Sequence, residues 1–449
     1  MRQVRYPSYK TTKSTWLASI PEHWEEKRLK DVATYNDESL DEKTDPDFEI
    51  EYVDISSVSL THGIEKTELL AFEKAPSRAR RKVRHGDVIV STVRTYLKAI
   101  APIKNPPLNM VVSTGFAVIR PRPSLDARFA GYMLQSNGFV GDVVANSVGV
   151  SYPAINASDL ARLPFAEPPL AEQRRISDFL DHKTAQIDAL IAKKQLLLDK
   201  LAEQRTALIS QAVTKGLDPS VPMKDSGVEW LGEIPAHWQC LPLRRLSHYV
   251  KTGTTPTGIN ELHFDDEGLP WYKPGDFTDG VFLESAGNKL SQEGVEAVRT
   301  FPSDTVMQVG IGATIGKVAI ATSPASCNQQ INCIHCNEKL HHLFAVYFLR
   351  AIRDFIVKCG KYTTLPIINQ DETKSLPFTV PSYDEQVTIS NYLLEAEKKS
   401  SRQSKKVLEI IERLQEYRSA LITNAVTGKI DVRDFCIPTT TEQKEVAHG

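Results

Sequence analysis

The chain has 449 residues, 41% hydrophobic and 24% charged, and its 54 basic against 56 acidic side chains leave a formal net charge of −2. That length holds two cores with connecting elements, and the composition is that of an ordinary globular protein rather than a disordered or fibrous one. No apolar run approaches bilayer-spanning length, the charged, proline-broken N-terminus lacks a signal-peptide core, and six cysteines without framework spacing fit a reducing cytoplasm.

In chain order, the first half opens on Trp16-Leu-Ala-Ser-Ile-Pro-Glu-His-Trp24. The β-branched runs Glu51-Tyr-Val-Asp-Ile55, Asp87-Val-Ile-Val90 and Met110-Val-Val-Ser113 predict strands, because Gly, Pro and Asn punctuate them as turns do. One shorter helix is expected around residues 127–134. Between the first and second of these runs lies the dense cationic run Arg78-Ala-Arg80-Arg81-Lys82-Val-Arg84, which reads either as a solvated charged face or as a phosphate contact. Apolar residues then fall at Ile176, Leu180, Ile187, Leu190, Leu197, Leu201 and Leu208, the stripe of a long helix packed on another helix. Gly216 and Pro219 end it. About forty residues at the helical rise make a rod of roughly 60 Å.

The second half repeats the plan. Trp230-Leu-Gly-Glu-Ile-Pro-Ala-His-Trp238 returns the opening motif 214 positions later, and Leu365-Pro-Ile-Ile-Asn369 returns Tyr152-Pro-Ala-Ile-Asn156 at a shift of 213. Leu376-Pro-Phe378 matches Leu163-Pro-Phe165, Glu385-Gln386 matches Glu172-Gln173, and Ala420-Leu-Ile-Thr-Asn-Ala-Val-Thr427 matches Ala207-Leu-Ile-Ser-Gln-Ala-Val-Thr214. Strands are expected at Trp271-Tyr272, Thr305-Val-Met-Gln-Val309 and Gln330-Ile-Asn-Cys-Ile334, and a helix over residues 342–358. A second long helix carries Ile389, Leu393, Ile410, Leu414 and Leu421 and ends at Gly428. Its stretch 398–406 is polar, which either weakens the seam or marks where another subunit or solvent reaches it. A repeat this long is two whole domains in tandem, not a solenoid, and matched ends suggest a pseudo-twofold molecule. The two helices are expected to pair antiparallel.

Catalytic motifs are broken. Asn105-Pro-Pro-Leu108 has leucine where an amino-methyltransferase loop needs an aromatic to hold a flipped base. Gly310-Ile-Gly312-Ala-Thr-Ile-Gly316-Lys317 lacks the first glycine and the closing Ser or Thr of a P-loop. Cys333-Ile-His-Cys336, with His341 and His342 nearby, is a single Cys pair without a second at zinc-site spacing, and its alternation also suits a strand.

The paired Trp-Leu-x-x-Ile-Pro-x-His-Trp starts, Leu-Pro-Phe before Pro-x-x-x-Glu-Gln, and long helices closing on Ala-Val-Thr, all in duplicate, resemble the specificity subunit of type I restriction–modification enzymes. Gly312-Ala-Thr-Ile-Gly316-Lys317-Val-Ala-Ile320 before Asn328-Gln329-Gln330 looks like that family's second recognition domain, and Ser91-Thr-Val-Arg94-Thr-Tyr96-Leu-Lys98 like a variant of its first. The resemblance implies an α+β fold: two tandem, pseudo-twofold-related target-recognition domains (residues 1–170 and 216–383), each followed by a spacer helix (171–215 and 384–432). The helices would pair as an antiparallel coiled coil, and residues 433–449 would form a polar, disordered tail. It further implies a cytoplasmic, prokaryotic, non-catalytic scaffold that reads a bipartite, asymmetric target in double-stranded DNA and binds no cofactor itself. Two modification (methyltransferase) subunits would carry S-adenosylmethionine, and two restriction subunits would use ATP with magnesium for translocation and cleavage. No membrane is involved. The alternatives are a DNA adenine methyltransferase acting alone, which would methylate DNA unaided, and a coiled-coil adapter whose globular halves bind no DNA.

The DNA-contacting candidates follow from charge and hydrogen-bonding chemistry. In the first domain they are Arg78, Arg80, Arg81, Lys82 and Arg84, with Arg94, Tyr96 and Lys98 just past a strand. In the second they are Lys273, Thr314, Lys317, Asn328, Gln329 and Gln330. Arg or Lys pairs with guanine, and Asn or Gln with adenine, in the major groove. Asn328 and Gln329 equally suit capping turns or satisfying buried backbone, and Tyr152 and Tyr362 either face DNA or fill the core. The halves match best at their ends and in the rods, and 78–84 finds no sequence counterpart among residues 294–302.

Overall fold

The computed structural model describes residues 4–258, 260–359, 361–362 and 366–436, the side chains of 359, 361 and 362 excepted. The chain forms two compact units, one of residues 1–194 with 409–449 and the other of residues 195–408. The division falls inside the two long helices, Leu170–Lys215 and Tyr383–Val426. Each unit therefore owns one globular half, the start of its own helix and the end of the other helix.

Eight strands build the first unit's two main sheets: β1 (Ala33–Tyr35), β2 (Glu49–Val53), β3 (Glu68–Ala71), β4 (Ala79–Lys82), β5 (Val88–Ser91), β6 (Ile100–Pro102), β7 (Met110–Ser113) and β8 (Phe116–Pro121). Their orders are β6-β5-β8-β1 and β3-β2-β7-β4, with β7 parallel to β2 and the other neighbours antiparallel. Strand alternation explains the layering. Val88 and Val90 face the helical core with Phe129, Met133 and Phe139, whereas Ile89 faces the other sheet with Val53, Val112 and Phe116. The expected helix Ala127–Leu134 is joined by a second, Asn137–Ala145, capped by Ser136.

The second unit repeats this strand for strand: β9 (Ser247–Thr252), β10 (Phe264–Tyr272), β11 (Asn288–Leu290), β12 (Thr300–Phe301), β13 (Thr305–Val309), β14 (Val318–Ala321), β15 (Ala325–Cys327) and β16 (Ile331–Cys336). The orders β14-β13-β16-β9 and β11-β10-β15-β12 match, and β10 and β15 are the parallel pair. The helix expected over 342–358 is two, His342–Ala351 and Arg353–Cys359. Strand β12 occupies the place in its sheet that β4 has in the first unit, so the arginine-rich stretch has a structural counterpart that sequence comparison did not find.

Each repeated motif has a mechanical role. The indole nitrogens of Trp24 and Trp238 donate to Glu172 and Glu385, both at 3.0 Å, while His23 and His237 reach the same carboxylates. Gln173 and Gln386 accept from the backbone of Asp126 and His341 and donate to the carbonyls of Pro168 and Pro381. The opening motif thus anchors the start of its own long helix. It also receives the end of the other one: Gly428 (φ 71°) lies against Pro21 and Trp24, and Gly216 (φ 79°) against Trp238 and Pro235.

Within each unit the two helix ends run antiparallel. Asp188 meets Arg418 at 2.8 Å and Phe179 meets Phe435 in the first; Arg205 approaches Glu397 and Val213 shares a core with Ile389 in the second. The apolar stripe holds at Ile176, Leu180, Ile187, Ile389, Leu393 and Leu421, all buried, and slips in the middle of the rods. Leu190, Leu197 and Ile410 are exposed, and the inward positions are Ile191, Leu198, Val407 and Ile411. A straight 3.6-residue helix drifts against a seven-residue repeat, so a stripe chosen on leucine spacing slips by one position. In the polar stretch, Ser400 and Ser404 take the inward-facing places while the lysines point out. Residues 433–436, placed in the tail by sequence, start docked: Arg433 lies over Tyr6 and Phe435 packs on Phe179. Residues 437–449 lie outside the described residues.

Candidate nucleic-acid interface

Three segments converge in each unit. In the first, Thr92 opens the β5–β6 loop, donates its backbone N–H to Gly115 in the β7–β8 turn and accepts from Ile155, both at 2.8 Å. Val93 bridges Ala154. The segment 152–156, the turn and the loop are thereby held as one surface. Arg78 joins it through its carbonyl, which accepts from Thr114 at 2.8 Å.

The second unit makes the same bonds with other residues. Gly310 donates to Gln330 and accepts from Ile368, again at 2.8 Å, and Ile311 bridges Ile367. Ser91 closes the first loop on Ala99 and Val309 closes the second on Lys317. The loops 92–98 and 310–316 therefore correspond residue for residue, pairing Arg94 with Gly312, Tyr96 with Thr314 and Lys98 with Gly316. All four of Arg94 (φ 49°), Lys98 (φ 53°), Gly312 (φ 102°) and Gly316 (φ 78°) have left-handed backbone. Glycine adopts it freely; arginine and lysine do so at a cost of about 1 kcal/mol or more each.

The structure sorts the sequence-chosen residues. Arg78, Arg94, Tyr96 and Lys98 are exposed on or beside the convergent surface. Arg80 stacks on Phe72, and Arg81 is half-buried, its Nε without a partner and its guanidinium pKa lowered by desolvation. Lys82 is exposed farther along β4, and Arg84 is bound to Glu38 at 2.5 Å in a network with Arg120 and buried Asp87. In the second unit Gln329, Gln330 and Asn332 line a 340 Å³ cavity with Thr252, Gln370 and Asp371. Asn328 is engaged with Gln330, and Gln329 with Thr255. Lys273 donates to Asn288 at 2.6 Å over the Trp271 ring, and Lys317 donates to the Phe277 carbonyl at 2.9 Å, so both ammonium groups serve the fold. Thr314 sits at the tip of its loop, half-exposed.

Sequence reasoning missed Arg299, which precedes β12 as Arg78 precedes β4 and donates to the Thr252 carbonyl at 2.6 Å. A lone arginine among residues 294–302 gave no signal without the strand correspondence. Tyr152 is exposed and carries Arg94 above its ring, whereas the Tyr362 side chain lies outside the described residues.

The other chemical motifs resolve into structure. Asn105 sits in left-handed backbone at an exposed turn whose Leu108 is fully solvated. The stretch 310–317 links two strands, β13 and β14, instead of leading into a helix as a phosphate cradle does. On β16, Cys333 faces the inter-sheet core, 3.1 Å from Cys327, while Cys336 packs toward the helical core, so the two thiols lie on opposite faces. Among the described residues no group of three or more His, Cys, Asp or Glu could hold a metal, and no helix is long and apolar enough to cross a membrane.

Comparison with known proteins agrees with this geometry. The type I restriction modification DNA specificity domain matches twice, over residues 21–198 and 235–413. The type I restriction enzyme MjaIX specificity subunit of Methanocaldococcus jannaschii is 21% identical over 444 residues, covering 94% of this chain and 97% of that protein. The HindI specificity subunit of Haemophilus influenzae is 24% identical over 323 residues, 60% of this chain and 70% of that one. The fold is similar to a chain from a structural study of type I restriction–modification assembly (TM-score 0.72, 22% identity, 91% of this chain and 98% of that one). It is also similar to the HsdS subunit of Thermoanaerobacter tengcongensis (TM-score 0.51, 22% identity, 92% and 98%). With both copies of the domain accounting for most of its length, the chain belongs to the type I restriction modification DNA specificity family.

Proposed function

We propose that this chain is the sequence-reading subunit of a type I restriction–modification complex. Each unit reads one half of a split, asymmetric target in double-stranded DNA, and the long helices set the gap between the halves. The chain performs no chemistry and binds no cofactor. Two modification subunits supply S-adenosylmethionine and methyl transfer, and two restriction subunits supply ATP- and magnesium-dependent translocation and cleavage. The observation that carries this reading is the convergent surface built twice with the same backbone bonds and different side chains. A common frame with Arg94 and Lys98 in one copy, and Gln329 and Gln330 in the other, suits two readers of different half-sites.

The candidates divide by availability. Arg78, Arg94, Tyr96 and Lys98 suit contact with DNA, as do Thr314 and the amide nitrogens of Gln329 and Gln330, whose oxygens accept from Thr255 and Asn328. Lys82 suits a phosphate contact, and Arg80, Arg81, Arg84, Lys273, Asn328 and Lys317 hold the surface in shape. The net charge of −2 fits a subunit that shares phosphate neutralisation with partners, since that term dominates DNA affinity. Methylome sequencing of cells carrying this chain with its modification subunit tests the reading. A single bipartite, asymmetric methylated motif that disappears when this chain is deleted is expected. Methyl transfer by the isolated chain, or a motif that survives its deletion, would overturn it.

A further inference from the structure

We infer that Arg94, held over the ring of Tyr152, is a specificity-determining residue that reads a guanine in the half-site of the first unit. The inference rests on the DNA-reading function proposed above and adds a named residue, a named base and a positioning partner.

Arg94 and Gly312 occupy the same place in two loops of equal length, closed by the same hydrogen bonds, and both have positive φ. The second unit fills that place with the residue that tolerates it. The first fills it with an arginine, so the frame alone does not explain the choice. The surroundings of the side chain supply an explanation. The Arg94 guanidinium lies 5.2 Å from the centre of the Tyr152 ring, and Tyr152 is 66% exposed. Among the described residues no carboxylate forms an ion pair with Arg94, in contrast to Arg84, Arg120 and Arg128, each bound to Asp or Glu. Nor, among the described residues, does its guanidinium donate a hydrogen bond to a neutral acceptor.

Stacking on an aromatic face fixes the plane of a guanidinium while leaving its edge open. A fixed, open fork is what bidentate bonding to the O6 and N7 of guanine requires. Tyr152 is itself placed by the Val93–Ala154 bridge and by the bend at Gly149 (φ 109°), where an added Cβ would meet the Tyr152 carbonyl at 3.2 Å. Tyr152 acts through Arg94 and is a positioning residue.

The test uses the full chain with its modification subunit and compares methylated motifs and DNA affinities for wild type, Arg94→Gly, Arg94→Lys and Tyr152→Phe. Arg94→Gly restores the residue the backbone favours, so this variant should melt no lower than wild type. It should nevertheless lose guanine preference at one position of one half-site by about tenfold or more, with the gap and the other half-site unchanged. Arg94→Lys keeps the charge without the fork and should lose most of the same preference, whereas Tyr152→Phe keeps the ring and should retain it. Equal weakening on all sequences would make Arg94 a phosphate contact and overturn the inference, as would an unchanged motif. Either result leaves the proposed function standing. Wild type with no defined motif at all would sink both.

Discussion

The indole N–H of Trp24 donates to the carboxylate of Glu172 at 3.0 Å, joining the opening motif of the chain to the first turn of a 46-residue helix. Tyr6 donates to the same carboxylate at 2.6 Å and His23 lies 2.8 Å from it. Burial and that neighbouring carboxylate raise the Tyr6 phenol well above its ordinary pKa, keeping it a donor. The counterpart Glu385 has two such partners, Trp238 and His237, and is 31% exposed against 7% for Glu172.

Because a buried donor left without a partner costs about 1–3 kcal/mol, Glu172→Ala should destabilise the protein by several kcal/mol. Glu385→Ala should cost roughly half as much, since water can replace part of what is lost. Urea unfolding of both variants checks the ranking. Equal losses would mean that the extra Tyr6 bond and the deeper burial contribute nothing.

The phase of the helical seam gives a sharper contrast between two adjacent residues. Ile411 is 8% exposed and Ile410 is 41% exposed. Placing a charge at the first takes it out of water, so Ile411→Asp should cost about 3 kcal/mol or more, whereas Ile410→Asp should cost under about 1 kcal/mol. Thermal melts of the pair decide it, and a larger loss at 410 would shift the seam back to the position read from leucine spacing.

Spacing and base identity should be separable. Four residues inserted after Leu201 add a little over one helical turn, about 6 Å, against about 3.4 Å per base pair. The unread gap should lengthen by between one and two base pairs while both half-sites persist. Exchanging residues 253–377 for the same region of a relative should do the reverse. Methylation mapping of the two variants reads both effects, and a changed half-site after insertion would contradict the division of labour.

The duplicated architecture was legible in the chain because the same bonds are made once in each half. Trp24, Glu172, Gln173 and the glycines that end the helices recur because each makes specific bonds or a turn that few other residues can replace. Strands such as 88–91 and 305–309 announced themselves by β-branched runs, and the long helices by periodicity. Three things were decided only by tertiary structure. The seam passes through Leu198 and Ile411 in place of Leu197 and Ile410, because packing selects the phase that a drifting period leaves open. Lys273, Lys317 and Arg84 are spent on Asn288, the Phe277 carbonyl and Glu38, partners remote in sequence that charge counting does not see. The correspondence of Arg94 with Gly312 rests on hydrogen bonds from three separated segments, and residue identity carries no trace of a shared backbone conformation.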